Sequence, residues 1–450
     1  MSGRFQGFVL RAARATVGFA FAALLVGSAY GQFVKDDPTV NERDARLLRS
    51  KATRAITSSS LGAEEKSVID QYFTGFYFPA MSRNTDAALG SLARLREDLF
   101  RLYINRAVSP DVRNYLIGET IKDMGRKALG NYHPAVRYNA ILVVANLDAE
   151  PAGRGSDSKP VPLEKATEIL LRLVELDSAN NVPIPSSLKI GALVGLERHT
   201  RYGIDPKFND KLVEVANKVL GQTETPPDIS RKVHAWMKCQ AAALLVNRAS
   251  AAADAAAHNA VMKLIADEDL KLDDRCQAAR LLAKMHYAAD PGGLSAGLDK
   301  LGLLALQVAT AEHDEAAEVD RELLEGAEDF GGGRGGMGFS MGRGGFGELG
   351  AEEETGPRYE KRRFLRYVNS VVDAVNAVNP ALSPEDQQRA QTLLEAMKPA
   401  VNVVSDRKAL DVDVLAAVMQ MRDAVKNAVA AWNPDAAAPA EENVEDAFGQ

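Results

Sequence analysis

The chain has 450 residues, with 54 Lys and Arg against 61 Asp and Glu, two Cys, and 46% hydrophobic residues. This length is typical of two or three domains, and the apolar content is sufficient for packed cores. Two cysteines exclude a disulfide-rich scaffold, an iron–sulfur protein and a zinc module with several cysteine ligands, and a net charge of −7 gives no indication of a nucleic-acid partner.

Residues 1–31 have the pattern of a secretory signal peptide. Three arginines and no acid precede or flank an apolar run at 15–26, and the small residues Ala29 and Gly31 follow. This order predicts an exported protein, in the periplasm, the cell envelope or outside the cell, with signal cleavage near Gly31 and Gln32. An uncleaved membrane anchor is the alternative, but the segment is at the short limit for a ~30 Å hydrocarbon core. Cleavage would change the charge balance to 51 against 61.

Residues 32–110 contain three helical stretches, which we expect to form an N-terminal helical cap. The middle stretch, around residues 68–78, is the most aromatic part of the chain. It could be a hydrophobic docking patch, but aromatic residues at helical spacing are typical of a core. We therefore predict that these side chains are buried.

A short motif recurs four times in residues 111–329. It consists of a basic residue, any residue, a small or amide residue and an alanine, with Val or Leu four positions after the alanine. The alanine and the aliphatic residue share one helix face, where a small side chain lets a neighbouring helix approach closely. The basic residue and the alanine of the four motifs are Arg137 and Ala140, Lys189 and Ala192, Lys238 and Ala241, and Arg275 and Ala278.

Each motif is expected on the second helix of a pair. The partner helices are expected at about 114–129, 163–177, 207–220 and 251–267, and the motifs are 52, 49 and 37 residues apart. Helical repeats of the HEAT and armadillo type have ~40–47 residues. The polar segment 151–160 reads as a surface loop and accounts for the long first interval. The pattern predicts an all-α fold of stacked helix pairs.

The region at about 110–290 resembles HEAT repeats, which form an α-solenoid of the armadillo type. The best match is residues 132–147, with Pro134, Val136, Arg137, Ala140 and Leu147 at the family's positions. The acid that the family often has six residues before the basic position is present in only one of the four motifs. The resemblance implies a scaffold or binding surface in which the motif residues are structural, and it transfers no active site.

The rest of the chain predicts three further segments. Residues 312–329 hold nine acids and one base, a composition that favours a solvated helix end over a cation site or a site for a basic partner. Residues 330–356 are a glycine-rich, flexible linker, 357–432 a small C-terminal helical bundle separate from the repeats, and 433–450 a disordered acidic tail. Within the bundle, Ser383 and Pro384 predict a helix start.

Several motifs that suggest chemistry lack the structural context they need. Gly293–Gly297 matches the nucleophile elbow of serine hydrolases, but a helix precedes it where the chemistry needs a strand, so Ser295 is expected to cap a helix. Gly342–Gly347 matches a dinucleotide-binding string without a preceding strand, and the Arg-Gly-Gly units are too few to indicate RNA binding. The six histidines show no metal-ligand spacing, so we expect no metal or other cofactor.

Cys239 and Cys276 occupy the same position of two motifs. Equivalent residues on adjacent helices are ~8–10 Å apart, whereas a disulfide needs Cα atoms within ~7 Å. An oxidising compartment would favour a bridge. We favour two separate small core residues.

The hypothesis that follows is an exported, non-enzymatic scaffold or protein-interaction module, whose partner is a protein or an envelope component and not a nucleic acid. The alternative is a secreted all-helical enzyme, a toroid of helix pairs acting on polysaccharide. Such an enzyme needs paired carboxylates in an aromatic-lined cleft, and the two tryptophans, Trp236 and Trp432, are a poor supply of aromatic rings.

Overall fold

The protein is all-α, as predicted. The computed structural model describes residues 33–153, 158–248, 255–287, 289–331 and 359–433. The predicted signal peptide, most of the glycine-rich segment, the acidic tail and the centre of the 151–160 loop lie outside the described residues. Among the described residues only two short antiparallel strand pairs occur, β1 (Asp148–Glu150) with β2 (Val161–Pro162) and β3 (Ser178–Ala179) with β4 (Val182–Pro183). No described helix is long and apolar enough to cross a membrane.

The chain divides into two compact units, Met1–Lys211 and Leu212–Gln450. The helix α9 (Asn209–Leu220) spans this division. The first unit contains α1 (Glu42–Ile56), α2 (Ala63–Tyr72), a π-helical turn (Phe73–Tyr77), α3 (Phe78–Ala80), α4 (Asp86–Asp98), a second π-helical turn (Leu99–Tyr103), a 3₁₀ turn (Ile104–Arg106), α5 (Pro110–Leu129), α6 (Pro134–Ala145), α7 (Glu164–Glu175), α8 (Ser186–Tyr202) and a 3₁₀ turn (Pro206–Phe208).

The aromatic stretch of the first unit is core, as predicted. Tyr72, Phe73, Tyr77 and Phe78 are each at most 5% exposed. Their rings pack around Tyr103 from the second π-helical turn, with the Phe73 and Tyr103 ring centroids 5.1 Å apart. The hydroxyls of Tyr72 and Tyr103 share a buried hydrogen bond of 3.0 Å. The two π-helical turns therefore form one aromatic cluster that holds α2 against the end of α4.

An extended segment before α1 is fixed to the end of α5 by a charged cluster. The Asp36 carboxylate accepts hydrogen bonds from Arg126 at 2.8 and 2.9 Å and from Tyr132 at 2.7 Å. It also lies 2.8 Å from the ammonium of Lys127, whose side chain is fully buried. Burial alone would raise the pKa of Asp36, but hydrogen bonds from Arg126, Lys127 and Tyr132 outweigh it and hold the pKa well below its usual range.

The predicted packing of helices in pairs is confirmed for α5 with α6 and for α7 with α8. The motif helices α6 and α8 also contact each other, and a glycine of α8 lies where they approach closely. A Cβ added to Gly195 of α8 would lie 2.6 Å from the Cβ of Ala145 and 2.8 Å from Leu170. The three helices thus meet at a point where no larger side chain fits without a shift.

The second unit contains the remaining helices. Here α11 (Ala255–Ala266) pairs with α12 (Leu272–Leu282), and the motif helices α10 (Arg231–Arg248) and α12 contact each other, as α6 and α8 do in the first unit. Gly292 and Gly293, which precede the long helix α13 (Leu294–Gly331), have positive φ and so permit a tight turn. The elements are α10 (Arg231–Arg248), α11 (Ala255–Ala266), α12 (Leu272–Leu282), α13 (Leu294–Gly331), α14 (Lys361–Val378), a 3₁₀ turn (Asn379–Ala381), α15 (Pro384–Ser405) and α16 (Asp411–Ala430).

The three C-terminal helices pack against the helices that precede the glycine-rich segment. The helix α16 lies along α13, and α14 lies on α12 and α13, so they do not form a bundle that stands apart. The domain boundary near residue 330 stays a prediction. The predicted helix start is confirmed, since the Ser383 hydroxyl accepts a hydrogen bond from the Asp386 amide at 3.2 Å and Pro384 occupies the first turn.

Two expectations for α13 are corrected by its contacts. Ser295 does not cap this helix, because α13 begins one residue earlier and Asp290 accepts from the Leu294 amide at 3.3 Å. The acidic run is not uniformly solvated, because Glu312 is only 1% exposed. Its carboxylate accepts hydrogen bonds from Arg363 at 3.0 and 3.3 Å and from the hydroxyl of Tyr359, which fixes the start of α14 to α13.

Candidate interaction groove

The alanines of the repeat motif all lie in the helix interfaces. Ala140, Ala192, Ala241 and Ala278 are at most 1% exposed. These positions are inaccessible to a ligand, in keeping with the structural role that the repeat motif predicts for them.

The two motif arginines make the same contact in different units. Arg137 Nε donates to the carbonyl oxygen of Ala128 at 3.0 Å, and Arg275 Nε donates to that of Ile265 at 2.7 Å. Ala128 and Ile265 lie at the ends of α5 and α11, where the last carbonyls of a helix lack partners within the helix. Each guanidinium therefore satisfies a carbonyl of the partner helix and places positive charge at the negative end of its dipole.

The second arm of each motif arginine reaches a later element, which is β4 for Arg137 and α13 for Arg275. Arg137 Nη1 donates to the Pro183 carbonyl oxygen at 2.9 Å, and Arg275 Nη1 donates to Gln307 of α13. The guanidinium thus links the partner helix behind it with an element later in the chain. For Arg137, whose motif has Asn131 where the family often has an acid, this contact takes the place of the acid-to-arginine ladder.

The two motif lysines behave differently. Lys189 Nζ lies 2.7 Å from Asp177, which follows the end of α7. Lys238 is half-buried and makes no hydrogen bond or ion pair with the described residues. A lysine has no planar fork that could bridge two carbonyl groups. The motifs with lysine therefore lack the link between two elements that the motifs with arginine have.

A large open cleft in the first unit is the candidate functional site. Its volume is about 1310 Å³. One wall is formed by the end of α4 and the turns after it, the other by the residues that flank the 151–160 loop and by the end of α8. We call it the arginine groove, after the five arginines that line it: Arg94, Arg96, Arg101, Arg106 and Arg198.

Structural contacts position the inner arginines of the groove. Arg198 Nη2 donates to Asp148 at 2.7 Å, and its guanidinium lies over the Tyr202 ring at 5.2 Å. Arg96 Nη1 donates to the amide oxygen of Asn139 at 2.6 Å. These interactions hold the two guanidinium groups at the base of the cleft and leave part of their donor capacity unused, since each guanidinium carries five donors.

The outer arginines are exposed. Arg101 donates to Asp98 at 2.8 Å, a hydrogen bond that raises its pKa, and Arg94 lies 3.9 Å from the same carboxylate. Arg106 makes no hydrogen bond or ion pair with the described residues. Among the residues that the structure describes, two acids, Glu97 and Asp148, line the groove beside the five arginines. The cleft is therefore locally cationic in a chain with a net charge of −7 and favours an anionic ligand.

The sequence alone does not predict this cluster of arginines, because they come from two segments about 100 residues apart and form no local motif. One signal is present in the sequence: the segment from 94 to 106 holds four arginines, Arg94, Arg96, Arg101 and Arg106, against two acids. In a chain with more acids than bases, such a segment predicts a local anion-binding surface.

The histidines and acids show no metal site within the described ranges. No group of three His, Cys, Asp or Glu side chains there could hold a metal ion. His199 has a structural contact instead, because its Nε2 donates to the Ala145 carbonyl oxygen at 3.0 Å and its Nδ1 accepts from Thr167 at 2.9 Å. Burial lowers the pKa of His199 to about 4, so the ring stays neutral at pH 7.

Both cysteines are buried free thiols. Burial, followed by the nearby carboxylates Asp274 and Asp273, raises the pKa of Cys239 to about 12, and burial followed by Asp273 raises that of Cys276 to about 12. Because the thiolate is the reactive form, we expect no labelling of the native protein by iodoacetamide at pH 8 and labelling of both cysteines after denaturation. A mass two protons lower without reductant, or rapid labelling of the native protein, would contradict this expectation.

Comparisons with known proteins assign no family. No protein-family model matches the chain, and no curated protein matches it.

Proposed function

We propose that this protein is an exported, non-enzymatic interaction module of HEAT type, which binds an acidic segment of a protein partner in the arginine groove. The observation that carries the proposal is the cleft of about 1310 Å³ lined by five arginines and two acids. A partner in the cell envelope or outside the cell follows from the signal-peptide pattern of residues 1–31.

The repeat contacts support the HEAT assignment. The motif helices contact each other in each unit, and the motif arginines satisfy the carbonyls at the ends of their partner helices. Helix pairs stacked in this way present extended surfaces on which binding residues come from several repeats. The arginine groove has this property, because its lining residues come from α4, the segment after α6 and the end of α8.

The size and charge of the groove favour an extended acidic ligand. The cleft exceeds the ~300–1,000 Å³ typical of small-molecule pockets. Arginine binds carboxylates through two parallel hydrogen bonds, and the half-buried rings of Phe100 and Tyr202, which line the cleft, can contact apolar parts of a peptide. A polysaccharide hydrolase needs a pair of carboxylates that flank the scissile bond. Of the two acids described in this groove, Asp148 is bound to Arg198 and Glu97 lies 4.0 Å from Arg101.

The test is binding of a short, labelled peptide rich in Glu and Asp to the chain without residues 1–31. Fluorescence polarisation should show saturable binding that weakens as the salt concentration rises, because salt screens exposed charges. A lysine-rich peptide of the same length should not bind. Replacing Arg94 and Arg106 together by glutamate should weaken binding of the acidic peptide by at least about tenfold, since it places like charges opposite the ligand.

The matched control replaces Arg43 and Arg46 by glutamate. Both are exposed residues of α1 that do not line the groove, so this variant has the same net charge as the groove variant. Its affinity should equal that of the unmodified chain. An equal loss in the two variants would mean that net charge alone drives binding and would reject the groove as the site.

A further inference from the structure

A second cationic pocket lies in the second unit, where three helices begin. Its volume is about 550 Å³, and its lining comes from the starts of α10, α12 and α14. These helices are in contact, α10 with α12 and α12 with α14. The pocket is thus formed by packed helices that belong to one unit.

Five basic side chains and two acids line this pocket. Two of the bases are engaged: Arg366 pairs with Asp273, and Arg363 lies 3.0 Å from Glu312 and 3.1 Å from Glu315. The second lining acid is Glu360. Set against the two lining acids and the two acids that bind Arg363, the five bases keep an excess of one positive charge.

Three basic side chains of the pocket remain available to a ligand. Lys232, Lys271 and Arg362 are exposed, and none of them makes a hydrogen bond or ion pair within the part of the chain that the structure describes. They come from three different helix starts. Burial raises the pKa of Asp274, and Lys232 and Lys271 partly oppose this shift. This carboxylate therefore offsets part of their charge, and an anion bound among the three cations would relieve the repulsion that remains.

The backbone adds donors at the same place. The helices α12 and α14 begin after Lys271 and Glu360, and neither residue gives its helix a side-chain cap. The first amides of an α-helix lack acceptors within the helix and carry the positive end of its dipole. Asp273 and Asp274 occupy the first turn of α12, so the start of α14 is the more open of the two. Two uncapped helix starts beside three exposed cations supply positive charge and hydrogen-bond donors of the kind that a tetrahedral oxyanion requires.

We propose that this pocket binds a small ligand through a phosphate-type oxyanion, such as a phosphate ester or a pyrophosphate group. A volume of about 550 Å³ exceeds that of a single phosphate ion and lies in the usual range for small-molecule ligands. The aromatic ring of Tyr367 forms part of the lining and gives the organic part of such a ligand a surface to contact.

The probe for the first test is inorganic pyrophosphate, titrated into the chain without residues 1–31 and followed by isothermal calorimetry. We expect saturable binding at one site per chain. Sodium chloride at the same ionic strength should give no such signal, because chloride lacks the oxygens that several donors can share. Absence of pyrophosphate binding up to millimolar concentration would overturn the proposal.

The double variant Lys271→Gln and Arg362→Gln tests whether pyrophosphate binds in this pocket. Both side chains are exposed and unpaired among the described residues, so the variant keeps its structural contacts. Its affinity for pyrophosphate should fall by at least about tenfold, since two charge-assisted contacts are lost. Unchanged affinity would place the anion elsewhere and would overturn the proposal.

The matched control is the double variant Lys263→Gln and Arg280→Gln. These exposed residues of α11 and α12 do not line the pocket, and the change in net charge is the same. Its affinity should stay within about twofold of the unmodified chain, as expected for charges far from the ligand. An equal loss of affinity in the control would show that net charge alone causes the loss, and it would contradict binding in the pocket. The result is independent of the peptide test, because the two sites share no residue.

Discussion

Replacing Asp36 by alanine should destabilise the first unit by about 3 kcal/mol, because the fully buried ammonium of Lys127 loses one of its two carboxylates. The same change removes the acceptor of Tyr132 and one of the two carboxylates that bind Arg126, and so weakens the attachment of the extended segment to the end of α5. The effect lies at the lower end of the range for broken buried ion pairs, since Asp123 still pairs with Lys127.

Urea denaturation followed by circular dichroism measures this loss as a lower midpoint with an unchanged slope. The matched control is Asp37→Ala, because Asp37 is the exposed neighbour in the same segment and has no ion pair or hydrogen bond within the described residues. The control should change the free energy of unfolding by at most about 0.5 kcal/mol. Equal destabilisation by the two variants would show that the segment, and not the carboxylate, is responsible.

The pH dependence of this cluster has a defined sign. The pKa of Asp36 is depressed in the folded protein, whereas an unfolded Asp has a pKa of about 3.9. The stabilisation is therefore fully present above about pH 4 to 5 and is lost as the pH falls below that value toward the folded pKa. The difference in stability between the unmodified protein and Asp36→Asn should shrink in acid and stay constant between about pH 6 and 8.

The sequence was sufficient for features that depend on local spacing. The helices of the repeat region follow from apolar residues at helical intervals, and the helix start at Ser383 follows from the capping serine and the proline after it. The burial of Tyr72 and Phe73 follows from the density of the aromatic stripe. Each of these features is determined by residues within one or two helical turns of each other, so the local sequence is enough to predict it.

The sequence was insufficient where distant residues meet. Arg96 and Arg198 come together only because α4 and α8 both contact α6 or the segment after it. Asp36 precedes the first helix and has no periodicity, yet it forms the charged cluster at the end of α5. Glu312 belongs to a run of acids that are alike in composition. Only its burial and its hydrogen bond from Tyr359 distinguish it from Glu315, which also pairs with Arg363.

The second large effect is expected at the basic position of the repeat motif. Arg137 is 6% exposed and donates to the carbonyls of Ala128 and Pro183. Arg137→Ala removes both charge-assisted hydrogen bonds and leaves two carbonyl groups without these donors, so the free energy of unfolding should fall by about 2 to 4 kcal/mol. Arg137→Lys should recover only part of this loss, because a single ammonium lacks the planar fork that bridges both carbonyls.

The motif itself provides the control. Arg275→Ala removes the equivalent contacts with Ile265 and Gln307 in the second unit and should be comparably destabilising. Lys238→Ala changes the same motif position where no hydrogen bond or ion pair is found among the described residues, and it should cost less than about 1 kcal/mol. Thermal unfolding of the four variants separates two explanations. Equal effects of Lys238→Ala and Arg137→Ala would mean that the basic residue stabilises the fold through general solvation. A larger effect of Arg137→Ala, as expected, would mean that its hydrogen bonds to the two carbonyl groups are responsible.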